Sequence, residues 1–490
     1  MLLALAVAAT VTLTVMTDGN ILATMAPLAG MAGLWIIWVA PQRKTLLILI
    51  FLGLALDKPG DAENVWQSPI APFGGLLLEN LNKTINIDAL KVSLLILLLL
   101  FLLLARAHQL VLRSPSRPSD SATLAAPMKW AMTASFLATI WLCIYGVALG
   151  GDVQMSKIQV QTFVSMLMMA YLLGSALRGT RDYKTLGIVV IVAACIKAGV
   201  AVWVRYVVLP RLGIPPRQDD YTTTHGDSML FACAVVILVA MYLEQPVRRN
   251  LQQLVLLLPV LVAGMVANNR RLAWVQLIAS GTMMLLMSSH GKRTRSILRA
   301  LVYAAPLIFL YGAAGWNSSS RVFAPVQLIH SVGSSDTNRS TLYRDIENYD
   351  LVYTFRIRPI LGTGFGHQFE VPAVLDDISG NFKEWRYLPH NSILGLWAFG
   401  GFFGFTGLWL TAVVGLLLAT SSYGRARSSE ERIAAVAAMA AIITYIIHCW
   451  GDIGFSELKS IFLVGSALAI AGQLATSTGA WPGQRVRAPG

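Results

Sequence analysis

The chain has 490 residues, of which 56% are hydrophobic and only 13% are charged, and its formal net charge is +13. A soluble globular protein carries about 25% charged residues, so the composition excludes an ordinary soluble domain and indicates a polytopic membrane protein. The positive charge does not point to a nucleic-acid partner. The basic residues lie in short loops between apolar runs, which is the distribution that the positive-inside rule predicts.

Apolar runs recur along almost the whole chain and predict an all-α fold with about 12–14 transmembrane helices, since roughly 20 apolar residues cross the bilayer as a helix. The fourteen runs lie near residues 2–17, 21–40, 44–57, 89–106, 128–149, 158–176, 183–206, 228–244, 251–267, 271–288, 299–315, 391–419, 433–449 and 458–476. We therefore expect one integral-membrane domain over residues 1–476 and a disordered tail over 477–490. The first run lacks a basic leading region, so we interpret it as a retained span and not as a signal peptide.

Loop charges predict the topology of these spans. If fourteen spans alternate from a cytoplasmic N-terminus, seven basic clusters and the C-terminus fall on the cytoplasmic side. These clusters lie within residues 43–44, 106–129, 178–184, 248–249, 292–299, 425–432 and 485–487. The loop over residues 316–389 then lies outside the cytoplasm, and it holds nearly balanced numbers of acidic and basic residues. The sequence thus predicts a long loop outside the cytoplasm, which would be a periplasmic loop in a bacterial inner membrane.

An amphipathic helix is expected inside that loop. Apolar side chains recur there at the spacing of one helical stripe, namely Leu342, Ile346, Tyr349 and Tyr353. Asp336 or Thr337 would cap this helix and Pro359 would end it, and we expect it to lie along the membrane surface. The glycines at 362, 364 and 366 then form a tight turn. No strand precedes them, so a nucleotide-binding fingerprint is improbable.

The adjacent pair Arg270 and Arg271 sits in a very short external turn between two spans. Guanidinium groups are costly near hydrocarbon unless they meet an anion or stay hydrated, and their planar fork suits phosphate. Two interpretations stay open: the pair binds a phosphate, or it reaches lipid headgroups. Arg211 and Arg217, in the preceding external loop, are either further anion ligands or solvated surface charges.

His390 follows Pro389 and precedes a long apolar run. An imidazole at the start of a helix feels the positive end of the helix dipole, which keeps it neutral and available as a base. The alternative is a histidine that only satisfies a turn. His225, Arg339, Arg358 and Asn391 are further candidates for residues that line the substrate. His330 and His367 are read as polar lining.

Motifs of several enzyme classes are missing from the sequence. There is no HExxH, CxxC, GxSxG, Walker A or DxD pattern, and the four cysteines lie inside apolar runs without metal-ligand spacing. This argues against a metalloprotease, a redox enzyme, a serine hydrolase, a P-loop ATPase and a metal-dependent nucleotide-sugar transferase. We expect no metal and no cofactor.

The order of these features resembles the O-antigen ligase/polymerase superfamily of bacterial membrane glycosyltransferases. The resemblance covers roughly residues 220–450. It rests on the short turn with Arg270 and Arg271, the segment from Arg358 to Gly366, and the motif Pro389-His390-Asn391-Ser392 before a glycine-rich helix.

The resemblance implies a metal-independent, inverting transfer of a glycan from an undecaprenyl-pyrophosphate donor at the periplasmic face. The pyrophosphate would be held by Arg270 or Arg271, with Arg211 or Arg217 as a further ligand, and His390 would take part in the transfer. The acceptor is either a growing polysaccharide or lipid A-core, so polymerase and ligase both stay open, with other polysaccharide-assembly proteins as partners. A flippase or transporter of lipid-linked oligosaccharide is the alternative, although it would favour internal repeats and charges at mid-membrane depth.

Overall fold

The computed structural model of the protein describes residues 2–16, 21–58, 70–82, 91–112, 123–213, 222–288, 291–318, 323, 326, 339–374, 376–380 and 382–481. Sixteen helices of eight or more residues are present in this part of the chain, and it contains no strand longer than an isolated bridge. The first eight are α1 (Leu2–Met16), α2 (Ile21–Val39), α3 (Gln42–Ala55), α4 (Ala71–Leu78), α5 (Leu94–Leu112), α6 (Ala126–Ala148), α7 (Val153–Ala176) and α8 (Thr180–Trp203, continued by the π-helical stretch Val204–Val208 and the α-helical turn Leu209–Arg211). The other eight are α9 (Gly226–Glu244), α10 (Arg248–Asn268), α11 (Arg271–Met287), α12 (Lys292–Gly315), α13 (Arg339–Ile357), α14 (Ser392–Arg425), α15 (Ser429–Gly451) and α16 (Leu458–Ser477).

The all-α, polytopic membrane class is confirmed. Each of the fourteen predicted apolar runs corresponds to a helix, because a helix satisfies its own backbone hydrogen bonds where lipid offers none. Within the described residues, ten helices are long and apolar enough to cross a membrane, and two shorter apolar helices, Pro27–Val39 and Arg271–Met287, accompany them. The remaining long helix, α13, is the one predicted inside the long loop.

The loops between the helices sort into two ends of the bundle. At one end, Asp152 donates its backbone N–H to Gly366 O at 2.8 Å, and Thr223 donates its backbone N–H to Asn268 Oδ1 at 3.1 Å. We call this the site end. At the opposite end, Arg43 pairs with Asp182 at 2.9 Å and Arg432 pairs with Glu244 at 2.6 Å. This sorting agrees with strict alternation of the fourteen spans.

Helices α9, α15 and α16 form the centre of the bundle, whereas α12 lies at its edge. The apolar window of α16 is 94% buried and that of α12 is 0% buried. Small residues let other helices approach α16 closely: a Cβ added at Gly472 would lie 2.7 Å from Leu124 and 3.1 Å from Met128. The central helices all carry one end into the site.

The glycine turn after α13 is inserted into the bundle. Gly362, Gly364 and Gly366 have φ angles of 69°, 81° and 90°, which residues other than glycine rarely adopt. A Cβ at Gly364 would also lie 2.3 Å from the backbone of Gly146. The amide of Gly364 donates to Phe399 O at 2.8 Å and that of Gly366 to Gln159 Oε1 at 2.6 Å. These amides are used by the protein, which agrees with the prediction that the turn is not a nucleotide fingerprint.

Candidate active site

Arg270 lies in the turn between α10 and α11, at the site end. The turn depends on Asn269, which ends α10 in the left-handed conformation with φ 56°. Arg270 directly precedes α11, and only 5% of its surface is exposed. Its Nη1 contacts both ring nitrogens of His225, with Nε2 at 2.7 Å, and its Nη2 donates to Thr223 O at 3.4 Å. The structure thus brings together Arg270 and His225, two of the candidates from separate loops.

Asp452 also contacts the His225 ring. Its Oδ2 pairs with His225 Nδ1, and Asp452 is 4% exposed. If Nδ1 carries the proton that Asp452 accepts, then Nε2 is the acceptor that faces Arg270. Burial by itself would raise the pKa of Asp452. The charge and hydrogen bond of His225, with His448 and Arg344 nearby, outweigh burial and hold this pKa well below its usual value.

A second histidine–carboxylate pair is formed by His390 and Glu347 of α13. Glu347 is 1% exposed, and each of its two carboxylate oxygens lies within hydrogen-bond distance of a nitrogen of His390. Oε2 accepts the backbone N–H of His390 at 3.0 Å, and Oε1 lies 3.2 Å from its Nδ1. With Nδ1 held by this carboxylate, Nε2 is the ring nitrogen that can take a proton from a substrate.

Asn391 fixes the segment that carries His390. Its side chain accepts the N–H of Leu394 at 3.1 Å, which caps α14, and its Nδ2 donates to Asn348 Oδ1 at 3.0 Å. Such a cap contributes about 1 kcal/mol to helix stability. Asn391, predicted as a substrate-lining residue, is 4% exposed and is used here to join α14 to α13.

Ser392 links the two histidine pairs. Its hydroxyl donates to Asp452 O at 3.3 Å and accepts the N–H of Phe455 at 3.2 Å. The loop that carries Asp452 is therefore attached to the start of α14, two residues after His390. Arg344, one helical turn before Glu347, brings a positive charge close enough to lower the pKa of Asp452.

Three polar side chains of helix α13 face the interior of the protein. Glu347, Asp350 and Thr354 are at most 1% exposed. The predicted apolar stripe is only partly exposed: Leu342 is 53% exposed and Tyr349 58%, whereas Ile346 is half-buried and packs against the core. An exposed apolar face is what a helix along a membrane surface requires, although its position relative to a bilayer stays a prediction.

The other sequence candidates are exposed, half-buried or outside the described residues. Arg211 is exposed at the end of α8, and Arg358 is exposed before the glycine turn. Arg271 is half-buried as the first residue of α11. Arg217, His330 and the side chain of Arg339 lie outside the described residues. His367 contacts Gly146 O at 3.0 Å, in the bundle beside the turn.

Sequence reasoning did not find a buried group of four charges beneath the site, which we call the charge quartet: Asp57, Lys197, Asp227 and Lys459. Each member is at most 4% exposed. Lys197 contacts both aspartates, with Nζ 3.2 Å from Asp227 Oδ2, and Lys459 also contacts both, with Nζ 3.6 Å from Asp57 Oδ1. Lys197 inside an apolar run was the available signal, because an ionisable residue in a membrane span needs a partner.

The charge quartet supports both sides of the Arg270 cluster. Asp227 lies two residues after His225, at the start of α9, and Lys459 lies at the start of α16, after the loop that carries Asp452. Because pairing in a low-dielectric interior is strong, the quartet fixes these two helix ends relative to each other.

A family model described as O-Antigen ligase matches residues 254–409. The matched part begins inside α10 and ends inside α14, so it contains Arg270, Arg271, Glu347 and His390. His225, Asp452 and the charge quartet lie outside it. A comparison with curated proteins finds no match.

Proposed function

We propose, from this chain's membership of the O-antigen ligase/polymerase superfamily, that it is a membrane glycosyltransferase acting on an undecaprenyl-pyrophosphate donor. The observation that carries the proposal is the convergence of Arg270 and two histidine–carboxylate pairs at one end of an apolar helix bundle. This end is proposed to be periplasmic, because the basic loops predicted to be cytoplasmic belong to the opposite end.

Arg270 is proposed to bind the pyrophosphate of the donor. Its guanidinium has five N–H donors in a planar fork, which allows it to keep protein contacts and still bind phosphate oxygens. The side chain of His225 is 26% exposed whereas Arg270 is 5% exposed, so an anion would approach from the His225 side. Helices α9, α11, α14 and α16 all start at this end, and their N-termini favour negative charge.

His390 is proposed to act as the general base. In the transfer, the acceptor hydroxyl oxygen attacks the anomeric carbon of the donor, and the bond from that carbon to the pyrophosphate oxygen breaks. The proton of the hydroxyl goes to Nε2 of His390, and the electron pair of the broken bond stays on the pyrophosphate, where Arg270 stabilises it. A single displacement of this kind inverts the anomeric carbon. Glu347 is a positioning residue, because it holds Nδ1 and the backbone N–H of His390.

Fixed guanidinium charge can stabilise a pyrophosphate leaving group without a metal ion, so the proposed transfer is metal-independent. The acceptor is either a second lipid-linked glycan, as in a polymerase, or lipid A-core, as in a ligase. Both reactions share the donor site, so only the acceptor distinguishes them.

The test uses purified full-length protein in liposomes with an undecaprenyl-pyrophosphate oligosaccharide and each acceptor in turn. Wild type should form a glycosidic bond and release undecaprenyl pyrophosphate. His390→Ala should lose roughly 100-fold or more in rate, the scale of general-base catalysis. If wild type moves the donor across the vesicle membrane and never forms the bond, the transferase proposal fails and a flippase replaces it. A chelator that abolishes transfer would overturn metal independence.

A further inference from the structure

A polar cavity lies beside the Arg270 cluster at the site end. It has a volume of about 480 Å³, its open mouth included, and its polar lining consists of Asp57, Lys58, Thr224, Ser456, Glu457 and Lys459. Gly53 of α3, Leu56 directly after it, Leu78 of α4 and Leu458 of α16 complete the wall. A lining that is part polar and part apolar suits a sugar ring, which has hydroxyl groups at its rim and C–H groups on its faces.

Two hydroxyl groups in the wall of this cavity are unused. Thr224 Oγ1 and Ser456 Oγ are buried and have no hydrogen-bond partner among the described residues, and Thr224 as a whole is 9% exposed. Buried polar groups in proteins are nearly always hydrogen-bonded, so each exception needs an explanation. A ligand that carries its own hydroxyl groups would supply the missing donors and acceptors.

The charges of the wall favour an uncharged ligand. Its ionisable residues are two acidic and two basic, and the two that belong to the charge quartet are already paired there. Burial would raise the pKa of Glu457, but contacts with His448 and with the N–H of Lys459 outweigh burial and lower this pKa. Glu457 therefore stays ionised, and an ionised carboxylate is a strong acceptor for ligand hydroxyls.

The cavity shares a wall with the proposed pyrophosphate site. Both sequence neighbours of Thr224 contact Arg270. The carbonyl oxygen of Thr223 accepts a hydrogen bond from its guanidinium group, and the ring of His225 lies against the same group. Glu457 is on the same loop as Asp452, and its Oε2 lies 3.8 Å from His448 Nε2. A ring bound in the cavity would therefore lie next to a phosphate held by Arg270.

We propose that this cavity is a subsite for an uncharged, hydroxyl-bearing sugar ring of the glycan substrate, bound through Thr224, Ser456 and Glu457. The inference rests on the proposed function and extends it to the sugar. The ring can come from the donor, as the sugar next to the pyrophosphate, or from the acceptor, since both present the same hydroxyl chemistry.

The test compares Thr224→Val and Ser456→Ala, which remove one hydroxyl each with little change in volume. Ser466→Ala is the matched control, because the Ser466 hydroxyl is equally buried without a partner but lies in the middle of α16. Full-length proteins in lipid nanodiscs are assayed for binding of the sugar-bearing donor and of bare undecaprenyl pyrophosphate. The KM for the acceptor is measured in the transfer reaction.

If the donor sugar occupies the cavity, Thr224→Val and Ser456→Ala weaken binding of the sugar-bearing donor roughly fivefold to tenfold each, the value of about one hydrogen bond. Binding of bare undecaprenyl pyrophosphate stays unchanged in both variants. In Ser466→Ala, binding of both lipids and the acceptor KM stay as in wild type. If the acceptor sugar occupies it, the same factor appears in the acceptor KM instead.

The inference is overturned if both variants bind donor and use acceptor as wild type does, which is the result expected of a cavity filled with water alone. This failure is distinguishable from failure of the proposed function, in which wild type itself forms no glycosidic bond. Unfolding temperatures of the three variants show whether any loss of binding comes from misfolding.

Discussion

Glu347 receives His390 at both of its oxygens, one from the backbone N–H and one from Nδ1, although the two residues are 43 positions apart. A carboxylate that is 1% exposed and used in this way sets both the position and the tautomer of the imidazole. The contact thus joins the C-terminal end of the long loop, at His390, to helix α13 inside the same loop.

The first prediction concerns this carboxylate. Glu347→Gln should lower kcat roughly tenfold to 100-fold and leave the KM for the donor nearly unchanged, because it disturbs the orientation of the base and not the binding of phosphate. Asp345→Asn is the control, since Asp345 is an exposed acidic residue on the same helix. Steady-state transfer kinetics check both. Equal losses in the two variants would show that only the charge of α13 matters.

A second prediction separates the arginines. Arg270→Lys keeps the charge but loses the planar fork, so it should weaken donor use by roughly tenfold or more. Arg271→Lys should have a smaller effect, because Arg271 is half-buried whereas Arg270 is 5% exposed and contacts His225. Arg211→Lys, at an exposed position, serves as the reference. The measurement is kcat/KM for the lipid-linked donor, and an unchanged value in Arg270→Lys would remove Arg270 from the phosphate site.

The third prediction is a pH dependence of stability that comes from Asp452. Its pKa in the folded protein is well below the usual value of about 3.9. Its ionised form therefore stabilises the fold above that usual value, and this stabilisation is lost as the pH falls towards the lower folded pKa. Asp452→Asn should unfold at a lower temperature than wild type at pH 7, and the difference should shrink below about pH 4. Thermal unfolding in detergent between pH 3 and pH 7 measures it; a difference that grows at low pH would contradict the sign.

The fourth prediction concerns the charge quartet. Lys197→Met leaves two carboxylates with one ammonium, and breaking a buried pair in this way costs about 3–5 kcal/mol. The double variant Lys197→Met/Asp227→Leu restores a single balanced pair of Lys459 and Asp57, so it should recover part of the loss. Arg43→Met breaks an ion pair at the opposite end in which the arginine side chain is 35% exposed and the aspartate 6%. It should cost less than Lys197→Met, because Asp182 keeps the hydrogen bond from the backbone N–H of Arg178. Unfolding temperatures rank the three, and a double variant worse than the single one would show that the quartet is not governed by charge balance.

Hydrophobic patterning was sufficient for the fold because each apolar run forms a helix almost independently of its neighbours. The runs near residues 251–267 and 271–288 correspond to α10 and α11, with Arg270 in the turn between them. Local features also made His390 and His225 candidates for site residues, and their roles stay predictions. Their partners, Glu347 and Asp452, could not be predicted, because pairing depends on how loops separated by many residues meet at one end of the bundle.

The charge quartet is a second case in which contacts between residues distant in sequence could not be predicted. Lys197 is recognisable in the sequence as a charge within an apolar run, but Asp57 is 140 residues before it and Lys459 lies in the last helix. The orientation of α13 was also beyond the pattern. The apolar stripe predicts a helix, but only the packing of Glu347 and Asp350 shows that these polar side chains face the protein.

The position of Lys459 in α16 has a consequence for how the protein is made. During synthesis, Asp57, Lys197 and Asp227 enter the membrane before it, so an incomplete bundle holds two carboxylates against one ammonium in an apolar medium. Only insertion of α16 balances the charge and covers the surfaces of α7, α14 and α15 against which it packs. Charge balance in the quartet and packing at the centre of the bundle therefore both depend on α16.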